Sequence, residues 1–193
     1  MFIGRKDELQ FLEEKYHSKD GQLVVIYGRR RVGKTETIRK FCENKKSIFY
    51  TCVECPDDKQ LASFSNKILQ TGIPASQYIK SFSDWEQAFR SIMEIPGEEK
   101  KILVIDEFPY MVRNNNSIPS ILQGLWDEVL KDKNIMVILC GSAMSFMEKE
   151  ILSEKNPLYG RATGILKMNE MSFYDAVQFV PKYTIEEKKK YLL

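Results

Sequence analysis

Five short apolar runs punctuate the chain, at residues 23–27, 47–53, 102–105, 135–140 and 164–168. They are rich in Val, Ile and Leu and alternate little between apolar and polar positions. Strands patterned this way are buried on both faces, as in a parallel sheet covered by helices. Between the runs, apolar positions recur at helical spacing. The clearest case is residues 117–131, where Ile118, Ile121, Leu122, Leu125, Trp126, Val129 and Leu130 make one stripe. Strand, helix, strand, repeated in this way, predicts an α/β domain of three layers over residues 1–170. A further helix is expected to start at residues 172–177, and a charged stretch follows at 186–190. Residues 171–193 therefore read as a short helical appendage, with more sequence expected after it.

Composition changes this picture little. A chain of 193 residues suits one domain with a real core. With 43% hydrophobic and 29% charged residues it has the balance of a soluble globular protein. A net charge of +2 neither demands nor excludes a polyanionic partner. The apolar runs are far too short to cross a bilayer, and Met1 leads straight into a charged opening. A cytoplasmic protein without a membrane partner is expected, and four cysteines in no dense framework fit that expectation.

The first chemical signal is Gly28-Arg29-Arg30-Arg31-Val32-Gly33-Lys34-Thr35, followed by Glu36. It is a P-loop pattern, Gly-x4-Gly-Lys-Thr, set between an apolar run and a helical stretch, as the motif requires. The glycines let backbone N–H groups wrap a phosphate, and the helix that follows adds its positive N-terminal end. Lys34 is expected to reach the β- and γ-phosphates, and Thr35 to offer a hydroxyl to magnesium. ATP or ADP with Mg2+ is the expected ligand. The second signal is the run 101–105 ending in Asp106-Glu107. A buried parallel strand delivers its last residue to the ligand-binding edge of the sheet. Asp106 there would hold magnesium, usually through water, and Glu107 would polarise a water for attack on the γ-phosphate. The third is the run 137–140 ending in Gly141-Ser142. Ser142 either senses the γ-phosphate and positions the water or caps the next helix.

Taken together, these blocks resemble the archaeal-type ATPases, a branch of the AAA+ and STAND-like P-loop ATPases that also occurs in bacteria. The likeness rests on Phe2-Ile3-Gly4-Arg5-Lys6-Asp7-Glu8-Leu9, similar to that family's F-x-G-R-x-x-E-L opening. It rests also on the arginine-rich P-loop, on Asp106-Glu107-Phe108, and on Gly141-Ser142 followed by Pro157-Leu158-Tyr159-Gly160-Arg161. The resemblance implies a mostly parallel five-stranded sheet of order 5-1-4-3-2, with the strand of Asp106 not adjacent to that of the P-loop. It places Ile3, Gly4 and Arg5 beside the bound nucleotide. It puts Arg161 where related ATPases hold an arginine finger, often one acting on a neighbouring subunit. The turn before residue 164 is read as lying near the phosphate edge, so Arg161 is either such a finger or a surface arginine. The family continues into a helical lid, which residues 171–193 would begin, then a winged-helix segment and a nuclease-like domain, through which nucleic acid would be bound.

Other features carry less. Cys52-Val53-Glu54-Cys55 lacks the second pair that a zinc site needs. His17, the one histidine, excludes histidine-based triads by its setting at the end of the opening helix. Arg29, Arg30 and Arg31 face four readings: nucleotide contact, an acidic partner, nucleic acid, or local ion pairs. The expected function is a nucleotide-driven conformational switch that hydrolyses ATP, alone or as a homo-oligomer or with a protein partner. Two alternatives stand beside it: a nucleotide-dependent binding or DNA-associated module with little turnover, and a P-loop phosphotransferase. The acid pair weighs against the last, because a kinase must exclude water.

Overall fold

A computed structural model describes residues 2–181 and residue 183. The parallel sheet contains β1 (Gln22–Tyr27), β2 (Ser47–Thr51), β3 (Lys101–Asp106), β4 (Ile135–Gly141) and β5 (Gly164–Lys167). Its order is β2-β3-β4-β1-β5, and every pairing is parallel. This is the expected order, 5-1-4-3-2 read from the other side, with β4 between the P-loop strand and the strand of Asp106.

Every residue of β1 and of β4 is buried. The two-residue period of a strand then divides their side chains between two cores. Leu23, Val25, Tyr27, Leu103, Ile105, Ile135, Val137 and Leu139 face one way, while Val24, Ile26, Ile102, Val104, Met136, Ile138 and Cys140 face the other. The first face is covered by α3 (Asp57–Leu69), α4 (Trp85–Arg90), α5 (Phe108–Asn114) and α6 (Ile118–Glu128). They contribute Phe64, Ile68, Trp85, Phe89, Met111, Leu122, Leu125 and Trp126 to its core. The second face is covered by α1 (Lys6–His17) and α2 (Lys34–Cys42), through Leu12, Ile38 and Phe41. That is the predicted three-layer sandwich.

Boundaries differ from expectation in small ways. The helix expected over 117–131 ends as α6 at Glu128, because Val129 leaves helical geometry at φ −134°, and a single 3-10 turn, Leu130–Asp132, follows. After β5, a short helix, Phe173–Ala176, runs into the 3-10 turn Val177–Phe179. Ser172 caps it through a bond from the Asp175 N–H. The charged stretch expected at 186–190 lies outside the described residues. Among the described residues, no helix is long and apolar enough to cross a membrane.

Candidate nucleotide site

Because all five strands run the same way, Gly28, Glu107 and Ser142 leave β1, β3 and β4 at one carboxyl edge of the sheet. Gly28 follows β1 where its backbone passes Met168: a Cβ there would stand 2.2 Å from the Met168 carbonyl oxygen, so no larger residue fits. Gly33 precedes α2 with φ +89°, a left-handed geometry that turns the loop into the helix. Non-glycine residues rarely adopt positive φ. Of the four that do among the described residues, Arg5, Arg31 and Glu107 belong to this region, with Asn44 elsewhere. Backbone strain is thus concentrated where a ligand would be held.

Lys34 is buried inside its own loop, its ammonium donating to the carbonyls of Gly28 at 2.9 Å and Arg29 at 2.8 Å. An ammonium has three donors, so one remains for a phosphate oxygen. The Thr35 hydroxyl donates to Asp106 Oδ2 at 2.9 Å across the gap between α2 and β3. The other oxygen of Asp106 accepts from the Glu107 N–H at 3.0 Å, which steadies the left-handed turn. Glu107 Oε2 accepts twice from Ser142, from its hydroxyl at 2.9 Å and its N–H at 3.3 Å. Capping is not the role of Ser142: the following short helix has Ala143 at its N-cap and no side-chain cap. Lys34, Thr35, Glu36, Glu107, Ser142, Arg30, Arg31 and Gly33 line one compartment of about 600 Å3. Tyr110 joins them, a residue the motifs did not single out. Helical spacing could have found it, since position 110 lies three residues after Glu107 on the helix that Glu107 starts.

A second compartment of about 840 Å3 adjoins the first and shares Arg30, Arg31, Gly33 and Glu36 with it. Phe2, Ile3, Val32, Met171, Ala176 and Phe179 give it an apolar lining, and Arg29 and Arg39 line it too. Arg5 is buried at its wall and donates to the carbonyls of Val32 at 2.6 Å and Asn169 at 2.8 Å, and to Glu8 at 2.6 Å. Its guanidinium therefore braces the P-loop against the segment after β5. Gly4 does not line the compartment. It lets Asp175 approach, since a Cβ on Gly4 would come within 2.9 Å of that side chain.

Arg161 is not brought to the loop. It forms a forked pair with Asp127, at 2.7 Å to Oδ2, which holds the Asp127 carboxyl below its ordinary range. The turn before β5 lies at the amino edge of the sheet, not the phosphate edge expected for it. β5 begins with Gly164 beside Val24, and the Thr163 N–H donates to Leu23 O at 2.8 Å. From Val24 to Tyr27 alone is about 10 Å at roughly 3.3 Å per residue. Cys52, Cys55, Cys42 and Cys140 are free thiols, and burial pushes Cys42 up to about 11. No group of three or more His, Cys, Asp or Glu able to hold a metal occurs among the described residues.

A family model described as an ATPase domain predominantly from Archaea matches residues 2–191. The chain belongs to this family. An uncharacterized protein of Methanocaldococcus jannaschii is 38% identical to this archaeal-type ATPase domain over 187 residues, which are 97% of this chain and 40% of that protein. A second protein of that organism, described as an uncharacterized ATP-binding protein, is 59% identical over 46 residues, 24% of this chain and 78% of the relative. Among solved structures, the Walker-type ATPase PABY2304 of Pyrococcus abyssi superposes with a TM-score of 0.69 at 19% identity, over 94% of this chain and 57% of that one. The Aeropyrum pernix ORC1 protein in complex with DNA superposes at 0.64 and 13% identity, over 98% of this chain and 50% of that one. At such identities these structures share the fold. The chain spans about half the length, or less, of these longer relatives.

Proposed function

We propose that this ATPase domain binds ATP with magnesium, hydrolyses it, and passes the change of state to a partner or to further domains, in the cytoplasm. The observation that carries this reading is the convergence of Lys34, Thr35, Asp106 and Glu107 at one sheet edge. The donor set fits magnesium in the way a phosphate-bound ion needs. One hydroxyl and one carboxylate stand 2.9 Å apart, with room left for water and phosphate oxygens. When bound, the ion would neutralise phosphate charge and polarise the γ-phosphate.

The chain's own groups supply the rest. Loop N–H groups and the N-terminus of α2 hold the β-phosphate, and the third donor of Lys34 reaches an oxygen of the β- or γ-phosphate. The apolar compartment takes the nucleoside, with Ile3 and Val32 against it and Arg5 bracing its wall. Ser142 fixes Glu107 by one oxygen, so the other oxygen is free to take a proton from the attacking water. Phosphate release from ATP should therefore require magnesium. Adding excess chelator should reduce release to background, and release that persists unchanged under chelation would exclude this arrangement.

The position of Arg161 bears on assembly. At the amino edge it cannot reach its own loop, so any action on a γ-phosphate would be across an interface between copies. On that reading, mixing an Arg161→Ala chain with a Lys34→Ala chain restores part of the lost activity, because each supplies what the other lacks. Normal turnover by Arg161→Ala alone, at every protein concentration, would leave its pair with Asp127 as its whole role.

A further inference from the structure

Arg29 and Arg30 line the compartments above without an assigned step in the chemistry, and Arg113 lines neither. Arg29 and Arg30 are exposed on the P-loop, and Arg113 is exposed at the last turn of α5. They line one open groove of about 370 Å3 whose remaining wall is Ser142, Ala143, Met144, Ser145 and Phe146. No Asp or Glu lines it, whereas Glu36 and Glu107 line the phosphate compartment and Glu36, Glu43 and Glu170 the nucleoside compartment. Arg30 and Arg113 make no ion pair among the described residues. Arg29 has only an exposed pair with Glu170 at 3.3 Å. Such surface pairs contribute little and yield readily to a stronger anion.

Arg113 is held in place without being neutralised. Its guanidinium stands over the Phe146 ring, 5.5 Å from the centroid, and it makes no hydrogen bond among the described residues. A ring contact limits the side chain's freedom while leaving its charge and donors available. Three arginines line one acid-free groove, and together they attract an anion. The anion's chemistry follows from their number. A lone carboxylate is satisfied by one guanidinium fork. A nucleic-acid strand carries a charge at each nucleotide, so forks spread along a groove can each meet a different phosphate.

We propose that this groove binds the sugar-phosphate backbone of a nucleic-acid strand, with Arg29, Arg30 and Arg113 on successive phosphates and no reading of bases. Ser142 and Arg30 belong to both this groove and the phosphate compartment, so the strand lies next to the Glu107 that Ser142 holds.

The test is fluorescence anisotropy with a labelled single-stranded oligonucleotide of about 20 nucleotides, longer than the groove can fill. Three phosphate contacts give a slope of log affinity against log salt of roughly −2. Arg113→Glu should lower affinity at least about tenfold and flatten that slope by about one or more. Lys19→Glu makes the same charge change on the turn before β1, at the opposite sheet edge, and should stay within about twofold of the parent. Both variants should keep the parent's thermal unfolding and its affinity for ATP. The proposal falls if the parent does not bind the oligonucleotide, if Arg113→Glu binds as the parent does, or if Lys19→Glu loses as much. Failure of the parent to bind ATP would defeat the nucleotide reading and leave the groove's result standing, so the two are separable.

Discussion

Replacing Lys34 by alanine is expected to weaken ATP binding at least about 100-fold while the fold survives. The ammonium sits inside the loop, where two backbone carbonyls hold it and one donor stays free for phosphate. A hydrogen bond to a charged group contributes about 1.5–3 kcal/mol, and with both partners charged the one lost phosphate bond falls at the upper end, about two orders of magnitude. The helix that carries Lys34 is fixed by other residues: Ile38 and Phe41 are fully or nearly fully buried against β1 and β4. The cost to the unliganded protein is the loss of two bonds to carbonyls of a loop in which only residues 29–31 are exposed. Calorimetric titration with ATP and magnesium, beside a thermal melt, separates the two effects. Unchanged affinity would remove the P-loop from the nucleotide site, and lost affinity together with a collapsed melt would show Lys34 to be structural.

The layered fold was legible because its signals are local. A run such as Leu23-Val24-Val25-Ile26-Tyr27, apolar throughout, can be stable only where both faces are covered, and the structure covers both. The strand order was not written in that pattern. Which strands neighbour β1 depends on crossovers that no single segment encodes, and the order came from resemblance. Helix ends were also blurred. Nothing in Val129 or Leu130 breaks the apolar stripe of α6, yet the backbone turns there so that the chain can re-enter the sheet at β4.

The same division runs through the site. Lys34, Thr35, Asp106 and Glu107 sit in motifs whose spacing reflects a local geometry, strand then turn then helix, and a sequence displays that directly. Contacts formed between distant segments were hidden. Arg5 reaching Asn169, Gly4 making way for Asp175, and Phe179 lining one compartment with Ile3 each join segments more than 160 residues apart. Arg161 shows how direction can mislead. The residues Pro157 to Arg161 do read as a turn before a strand, but in a parallel sheet the turn before a strand and the turn after one lie at opposite edges. The tie from Ser142 to Glu107 was reachable in part, since both follow buried strands. What sequence could not supply is that β3 and β4 are neighbours, which brings the two residues within 2.9 Å.

That tie sets the terms of the second large effect. Glu107→Gln should leave ATP affinity within a few-fold of the parent and slow phosphate release by a factor of ~100 or more, the scale of removing a general base. The residue stands in left-handed geometry at φ 53°, held by the bond from its N–H to Asp106 and by Ser142. Glutamine keeps the length and shape of the side chain, and its amide oxygen can still accept from the Ser142 hydroxyl. It cannot accept a proton from water at neutral pH. Binding depends on Lys34, Thr35 and the loop amides, which the substitution does not touch. Single-turnover phosphate release, beside an ATP titration on the same preparation, reads the two quantities separately, and the longest available form of the protein is the right background. Release at the parent's rate would make Glu107 a positioning residue for Ser142 and favour a nucleotide-held binding module. Loss of binding together with turnover would mean that the carboxylate charge itself shapes the phosphate compartment. A loss confined to release assigns the proton transfer to Glu107 and makes its tether to Ser142 part of the chemistry.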